Sequence, residues 1–229
     1  MERYSIQYDG ALSDTYGIFL YDYPEISSAK KNYDTYTVPG RNGELLSSED
    51  YLSNITVTCI FSVLSQNLHQ TIRSIRRWLS GTGRLVIQDT PESFYEVMKI
   101  EYGSMERELR EYGRFTAVFT CYPYEFRNDG QVSMENVTYN PYDRCMPLYH
   151  LSGEGECTLT VNRSTITANV GQNLTIDTRR QIAYREDGEI MNTIITGDYD
   201  KIWLPHGENK ISFTDGFHLK IVPRWGYDA

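Results

Sequence analysis

The stretch Gly207-Glu208-Asn209-Lys210-Ile211-Ser212-Phe213, followed by Asp215-Gly216, His218-Leu219-Lys220-Ile221 and Pro223-Arg224-Trp225, decides the fold of this chain. Gly207 to Asn209 mark a turn, 210–213 read as a strand, and Asp215-Gly216 marks a second, tight turn. Residues 218–221 then form a closing strand that stops at a proline, which has no N–H to give to a ladder. This is the edge of a β-domain. Upstream of it, 157–161, 164–168, 174–177, 181–185 and 201–204 read as further short strands at hairpin spacing, with Asp187-Gly188 as another turn. Strands of this length and spacing predict a β-sandwich.

The first half carries the same β signal with one interruption. Residues 33–38 alternate around aromatic and β-branched side chains and break at Val38-Pro39-Gly40-Arg41-Asn42-Gly43, where two turn signals overlap. Asn-Gly is the stronger hairpin cue, because both residues tolerate positive φ. With 44–52 as the returning arm, the hairpin spans about residues 31–52 and reaches roughly 27 Å at about 3.3 Å per residue, further than it needs to cover a core of its own. After a strand at 55–61 the apolar period changes. Leu64, Leu68, Ile72, Ile75 and Leu79 fall at the spacing of an amphipathic helix over about residues 65–80, with Ser65 as its N-cap and Gly81 as its stop. Arg73, Arg76 and Arg77 lie where positive charge suits the helix dipole, and a solvated helix face accounts for them. Strands follow at 83–89, 94–102 and 115–121. The polar run Arg127-Asn128-Asp129-Gly130 divides the chain into an N-terminal domain, 1–128, and a C-terminal domain, 129–229.

Composition narrows the function. The 229 residues include 19 Tyr against 8 Phe and 3 Trp, side chains that favour half-buried pleated surfaces. The net charge is -9, with 13 basic and 18 acidic groups in residues 1–130 and 9 and 13 in the rest. Neither half offers the basic surface that phosphate neutralisation requires, which argues against tight nucleic-acid binding. No run approaches the roughly 20 apolar residues of a membrane-spanning helix, and the start of the chain has no apolar leader pattern, so we expect no membrane insertion and an intracellular origin. Cys59, Cys121, Cys145 and Cys157 lack paired metal-ligand spacing and are expected to be buried free thiols.

No catalytic or metal constellation emerges. His69, His150, His206 and His218 stand at no ligand spacing with another His, Cys or carboxylate, and nucleophile-elbow, zinc-protease and Walker sequences are absent. Glu106, Glu108 and Glu111 could in principle pair as acid and base, although charged loop residues are the default. We therefore assign no catalytic residue, no cofactor and no metal site, and expect that the chain is not an enzyme.

Several segments, in order, resemble the distal tail protein (Dit) family of long-tailed phages. Val38-Pro39-Gly40-Arg41-Asn42-Gly43 resembles its V-P-G-R-x-G hairpin, and Trp78-Leu79-Ser80-Gly81 with Gly83-Arg84-Leu85 resembles its helix end and following strand. Cys121-Tyr122-Pro123-Tyr124 resembles its C-x-P-Y closure. Ile176-Asp177, Gly197-Asp198-Tyr199, Leu204-Pro205-His206-Gly207-Glu208-Asn209 and Pro223-Arg224-Trp225 resemble its I-D, G-D-F, L-P-x-G-x-N and P-R-W segments, with Tyr199 in place of Phe and His206 as an extra residue. The resemblance implies a mainly β chain: an N-terminal β-sandwich with one α-helix and a projecting β-hairpin, then a C-terminal galectin-like β-sandwich. It also implies a homo-hexameric ring at the tail tip of the virion, assembled in the host cytoplasm. That ring would join the major tail tube protein to a tail-associated lysin or receptor-binding baseplate. A ribbon of the hairpin's reach is marginal alone and exposes pairing edges, so we expect it to be the assembly arm, with Val38 to Gly43 at the oligomer interface. A reading from another class is a carbohydrate-binding module for host cell-wall polysaccharide, with Tyr199, Trp203 and His206 on one face of the second sandwich. Aromatic rings stack on sugars, but core or edge packing explains these three more simply.

Overall fold

The computed structural model describes residues 4–103, 106–107 and 112–229, with the backbone alone at 32, 46, 48–50, 106 and 107. The chain is mainly β, with one α-helix among the described residues, and divides into two compact units, 1–125 with 228–229, and 126–227.

The first unit is built on β1 (Ile6–Tyr8), β2 (Ala11–Leu12), β3 (Ile18–Leu20), β4 (Glu25–Ile26), β5 (Lys31–Thr37), β6 (Glu44–Leu52), β7 (Ile55–Leu64), α1 (Leu68–Trp78), β8 (Gly83–Ile87), β9 (Ser93–Tyr102), β10 (Glu106–Arg107) and β11 (Tyr112–Arg127), the last two residues of which open the second unit. One continuous sheet runs in the order β2-β1-β8-β9-β11-β7-β3, with β4 on β7 and β10 on β11. It curls over its own core, as in a sandwich made from a single sheet. Period-two alternation drives this: Ile55, Val57, Cys59, Phe61 and Val63 of β7 all face inward with no exposure, as do Ala117, Phe119 and Cys121 of β11. Across the ladder Phe61 pairs with Phe115, their rings stacked at 5.1 Å. The ladder with β7 ends at Cys121 opposite Ile55, so β11 continues past it through Pro123, which needs no donor there. The strand therefore does not stop at the C-x-P-Y segment. At the chain's end, the Ala229 N–H donates to the Pro123 carbonyl at 3.1 Å, and Ala29 N–H donates to the Ala229 carbonyl at 2.6 Å.

α1 packs Leu68, Ile75, Trp78 and the following Leu79 into this core. Trp78 anchors it: its Nε1 donates to the Tyr8 carbonyl at 3.1 Å, and the Tyr8 hydroxyl donates to the Gly81 carbonyl at 3.2 Å. The helix starts later than the apolar spacing predicts. Asn67 is the N-cap, its side chain accepting from the Gln70 N–H at 3.3 Å, while Ser65 accepts from the Asn67 N–H and shares a 2.7 Å hydroxyl contact with Thr71. Ser65 thus shapes the approach to the helix without capping it. Leu64, the first residue of the predicted stripe, is an exposed strand residue.

The second unit contains β12 (Tyr139–Asn140), β13 (Leu148–Gly153), β14 (Glu156–Val161), β15 (Ser164–Asn169), β16 (Gln172–Asp177), β17 (Ile182–Tyr184), β18 (Ile195–Thr196), β19 (Gly207–Glu208), β20 (Ile211–Phe213), β21 (His218–Val222) and most of β22 (Gly226–Asp228). Two four-stranded antiparallel sheets, β17-β16-β13-β21 and β18-β15-β14-β20, enclose a core of Tyr149, Leu151, Leu174, Ile176 and Ile221 from one and Cys157, Leu159, Val161 and Ile166 from the other. β12 and β19 form a separate pair. The strand expected at 201–204 is instead a 3-10 turn, Tyr199–Ile202, after which Leu204 bridges to Cys145. The turn buries Ile202 and points its carbonyl at the Tyr149 hydroxyl, which donates to it at 2.8 Å. All four cysteines are buried, and none forms a disulfide.

Candidate functional site

The hairpin of β5 and β6 is a two-stranded ribbon that pairs with no other strand among the described residues. Thr37 pairs with Glu44 and Tyr36 with Leu45, leaving Val38 to Gly43 as a six-residue loop. Within it the Arg41 N–H donates to the Val38 carbonyl at 3.1 Å around Pro39 and Gly40, the latter at φ +81°. That is a type II turn, with proline presetting one central residue and glycine supplying the positive φ of the next. Asn42 is not in the left-handed region, so the Asn-Gly pair does not build the tight two-residue turn its composition suggests; Gly43 alone takes positive φ, at +82°. At the base, the Ser53 N–H donates to the Lys30 carbonyl at 2.9 Å and Lys30 N–H to the Ser53 hydroxyl at 3.2 Å. Between base and tip every described side chain from 31 to 47 is exposed, including Tyr33 and Tyr36 at 56% each, Val38 and Leu45. β6 alone spans about 30 Å. An isolated ribbon of this kind is marginal in water, and its exposed Tyr33, Tyr36, Val38 and Leu45 belong to neither core cluster among the described residues.

In the second unit, the segments singled out in the sequence are pinned to one another. Asp177 and Arg224 form a buried bidentate ion pair, Nη1 to Oδ1 at 2.7 Å and Nη2 to Oδ2 at 3.0 Å. Asp177 also accepts from the Arg179 and Arg180 N–H groups at 3.1 Å. Burial would raise its carboxyl, but the Arg224 guanidinium, with the Arg180 N–H and Arg179 charge, brings it net below the usual carboxylate range. Arg224 sits at φ +54°, and its N–H donates to the Gly130 carbonyl at 2.7 Å. Asn209 donates to the Pro205 and Gly207 carbonyls at 3.1 and 3.0 Å and accepts from the Asn162 side chain at 3.0 Å, so it ties its own turn to the β14–β15 turn. Asn140, fully buried, donates to the Asp143 and Leu204 carbonyls at 2.8 and 3.1 Å. At Gly197, φ +121°, a Cβ would come within 2.7 Å of the Thr165 carbonyl. Through these bonds the segments hold one another in place.

No family model matches the chain, and no curated protein matches it in sequence. Among solved structures, it is similar to the crystal structure of SPP1 Dit (gp 19.1), described as a paradigm of hub adsorption apparatus in Gram-positive infecting phages. The match covers 96% of this chain and 98% of that one, with a TM-score of 0.71 and 13% sequence identity. The chain has the Dit fold.

Within this Dit fold, the three aromatic candidates for sugar contact make separate local contacts. Tyr199 is half-buried and donates to the Asn192 side chain at 3.2 Å. Trp203 lies under the Arg144 guanidinium, 4.4 Å from its ring centre, and its Nε1 donates to the Thr178 carbonyl at 3.4 Å. His206 is exposed, bonded through Nδ1 to the Tyr142 carbonyl at 2.9 Å and edge-on to Tyr139 at 6.3 Å. Of the carboxylates considered as an acid and base pair, Glu108 and Glu111 lie outside the described residues, as does the Glu106 side chain. His150 is half-buried against the Thr175 hydroxyl at 2.9 Å, its pKa lowered by burial and by the nearby Arg224 and Lys220 charges. Among the described residues no group of three His, Cys, Asp or Glu could hold a metal ion, and no helix is long and apolar enough to cross a membrane. The polar side chains on one face of α1, Asn67, Gln70, Thr71, Ser74 and Arg77, line surface cavities with Tyr16. Their spacing of three, one, three and three was visible in the sequence and reads as a plain solvated stripe.

Proposed function

We propose that the chain is a structural hub of a phage tail tip. In this reading six copies form a ring through their N-terminal units and connect the tail tube to a tail-associated lysin or receptor-binding baseplate. The observation that carries the proposal is the Dit fold over 96% of the chain. The hairpin supplies the physical support: a ribbon about 30 Å long, bearing exposed Tyr33, Tyr36, Val38 and Leu45, has the composition of an interface that another subunit would bury. A head-to-tail contact of this kind, repeated with a rotation that closes, makes a ring rather than a fibre. The arm tip Val38 to Gly43 is then the contact with the neighbouring copy.

Sedimentation and native mass spectrometry test this directly. The intact protein is expected at six times the 26.6 kDa of the chain. A variant with 36–46 replaced by a short Gly-containing turn is expected to stay folded as a monomer, because both cores lie elsewhere. A ring that survives the replacement, or an intact protein that is monomeric at high concentration, would refute the arm.

A further inference from the structure

We infer that the first unit carries a binding groove for a neutral oligosaccharide, between α1 and the 3-10 turn Ser13–Tyr16 that precedes β3. Two cavities of about 470 and 420 Å³ share Tyr16 and Ser74, so they join into one trough along the helix. Each lies within the range of roughly 300–1,000 Å³ common for small-ligand clefts.

The chemistry of the lining selects the ligand class. One cavity is walled by Thr15, Ser65, Asn67, Gln70 and Thr71, all neutral hydroxyl or amide side chains. The other adds Ser80 with Asp9 and Arg77, one charge of each sign, so neither an anion nor a cation is favoured overall. Hydroxyls and amides both donate and accept, which matches the hydroxyls of a sugar and gives an apolar ligand nothing. Several are already oriented: Ser65 bonds Thr71 at 2.7 Å, and the Asn67 Nδ2 donates to Gln70 Oε1 at 3.3 Å. Preset groups of this kind lose little freedom on binding. Tyr16 stacks on Trp78 at 4.9 Å and 21°, and Trp78 is itself bonded to β1. Tyr16 lines both cavities and Trp78 the one that holds Arg77, so the stacked pair supplies an aromatic wall, the kind of surface on which the C–H face of a pyranose packs. This site is in the first unit, apart from Tyr199, Trp203 and His206, and does not depend on the ring proposed above.

The test uses the full-length protein with three neutral trisaccharides, maltotriose, cellotriose and chitotriose, followed by calorimetry and tryptophan emission. At least one is expected to bind saturably and to perturb the emission through Trp78. Gln70→Ala should weaken binding at least tenfold, and Ser74→Tyr, which fills the trough and leaves the Tyr16–Trp78 stack in place, should abolish it. Thermal melts matching the parent would show both variants folded. The inference is overturned if none of the three binds, if binding survives Ser74→Tyr, or if Trp203→Ala abolishes it while Ser74→Tyr does not. It is also overturned if Ser74→Tyr changes only the oligomeric mass, which would make a second copy the occupant.

Discussion

Replacing Arg224 by Met should melt the second unit while leaving the first intact, and the effect should shrink in mild acid. Arg224 holds Asp177 through a bidentate side-chain ion pair, and the two side chains are 12% and 2% exposed. Without the guanidinium, the carboxylate keeps two backbone N–H bonds at 3.1 Å and the Arg179 charge nearby but stays buried without its bidentate partner. Breaking a buried pair from one side costs about 3–5 kcal/mol, a large part of the roughly 5–15 kcal/mol that holds a domain folded. The pH dependence has a definite sign. In the parent the Asp177 pKa is depressed, so its contribution is present above the ordinary carboxylate range and is lost as pH falls through the lower folded value. In Arg224→Met burial dominates and the folded pKa moves above the unfolded one; protonation then relieves the site, and the difference from the parent narrows between pH 7 and pH 4. Urea unfolding at both pH values is the assay. Trp203 and Trp225 report on the second unit, Trp78 on the first, and circular dichroism on both. A second substitution, Asp177→Leu, in the Arg224→Met background should recover part of the loss, since two apolar groups leave no orphaned charge. A loss below about 1 kcal/mol, or one that is equal at pH 7 and pH 4, would refute the reasoning.

Three more outcomes are expected. Gly130→Ala should destabilise the second unit by at least the roughly 1–3 kcal/mol of an overpacked site, because the new Cβ would clash with the Trp225 backbone nitrogen; a melt unchanged from the parent would contradict this. All four cysteines should resist a thiol reagent in the native protein and titrate as four free groups in denaturant, since burial pushes the Cys59 and Cys121 thiols up to about 12; fewer than four, in protein kept from oxidants, would mean a disulfide. His150 has a folded pKa below its unfolded value of about 6.5, so the unfolded chain takes the proton first and stability falls as pH drops through that window; His150→Gln should flatten the slope seen in urea midpoints between pH 7 and 5.

What the sequence revealed follows from which interactions are local. β7 and β11 were legible because period-two alternation runs through their whole paired length, and α1 because Leu68, Ile72, Ile75 and Leu79 keep a helical spacing. Its start was misplaced because Ser65 and Asn67 are both good capping residues, and only the geometry decides which side chain meets the Gln70 N–H. The Asn-Gly pair at 42–43 suggested a tighter turn than forms, since Pro39-Gly40 had already used the reversal. The 3-10 turn at Tyr199–Ile202 was hidden because what turns the chain there is a distant hydroxyl, that of Tyr149. The groove along α1 escaped notice because it also requires Tyr16, more than fifty positions before Gln70, and periodicity carries no information across that distance.

The segments that carry the family resemblance and the surfaces proposed to bind partners do different physical work. Asp177, Arg224, Asn209 and Gly197 are held by backbone carbonyls, backbone N–H groups or one another, and a change at any of them leaves a buried group unpaired or a clash with backbone. They help hold this fold, which is shared over nearly the whole length with a solved structure at 13% identity. Tyr33, Tyr36 and Leu45 are exposed and belong to neither core cluster among the described residues, and Gln70 and Ser74 are exposed too, so substitution there should cost the chain little of its own stability. The two classes of variant therefore separate stability from function. If Tyr36→Ala dissociates the ring without lowering the urea midpoint, the arm acts between subunits. If it instead lowers the midpoint of an isolated monomer, the ribbon packs on its own chain, and the assembly reading fails at its physical root, whatever the likeness in fold.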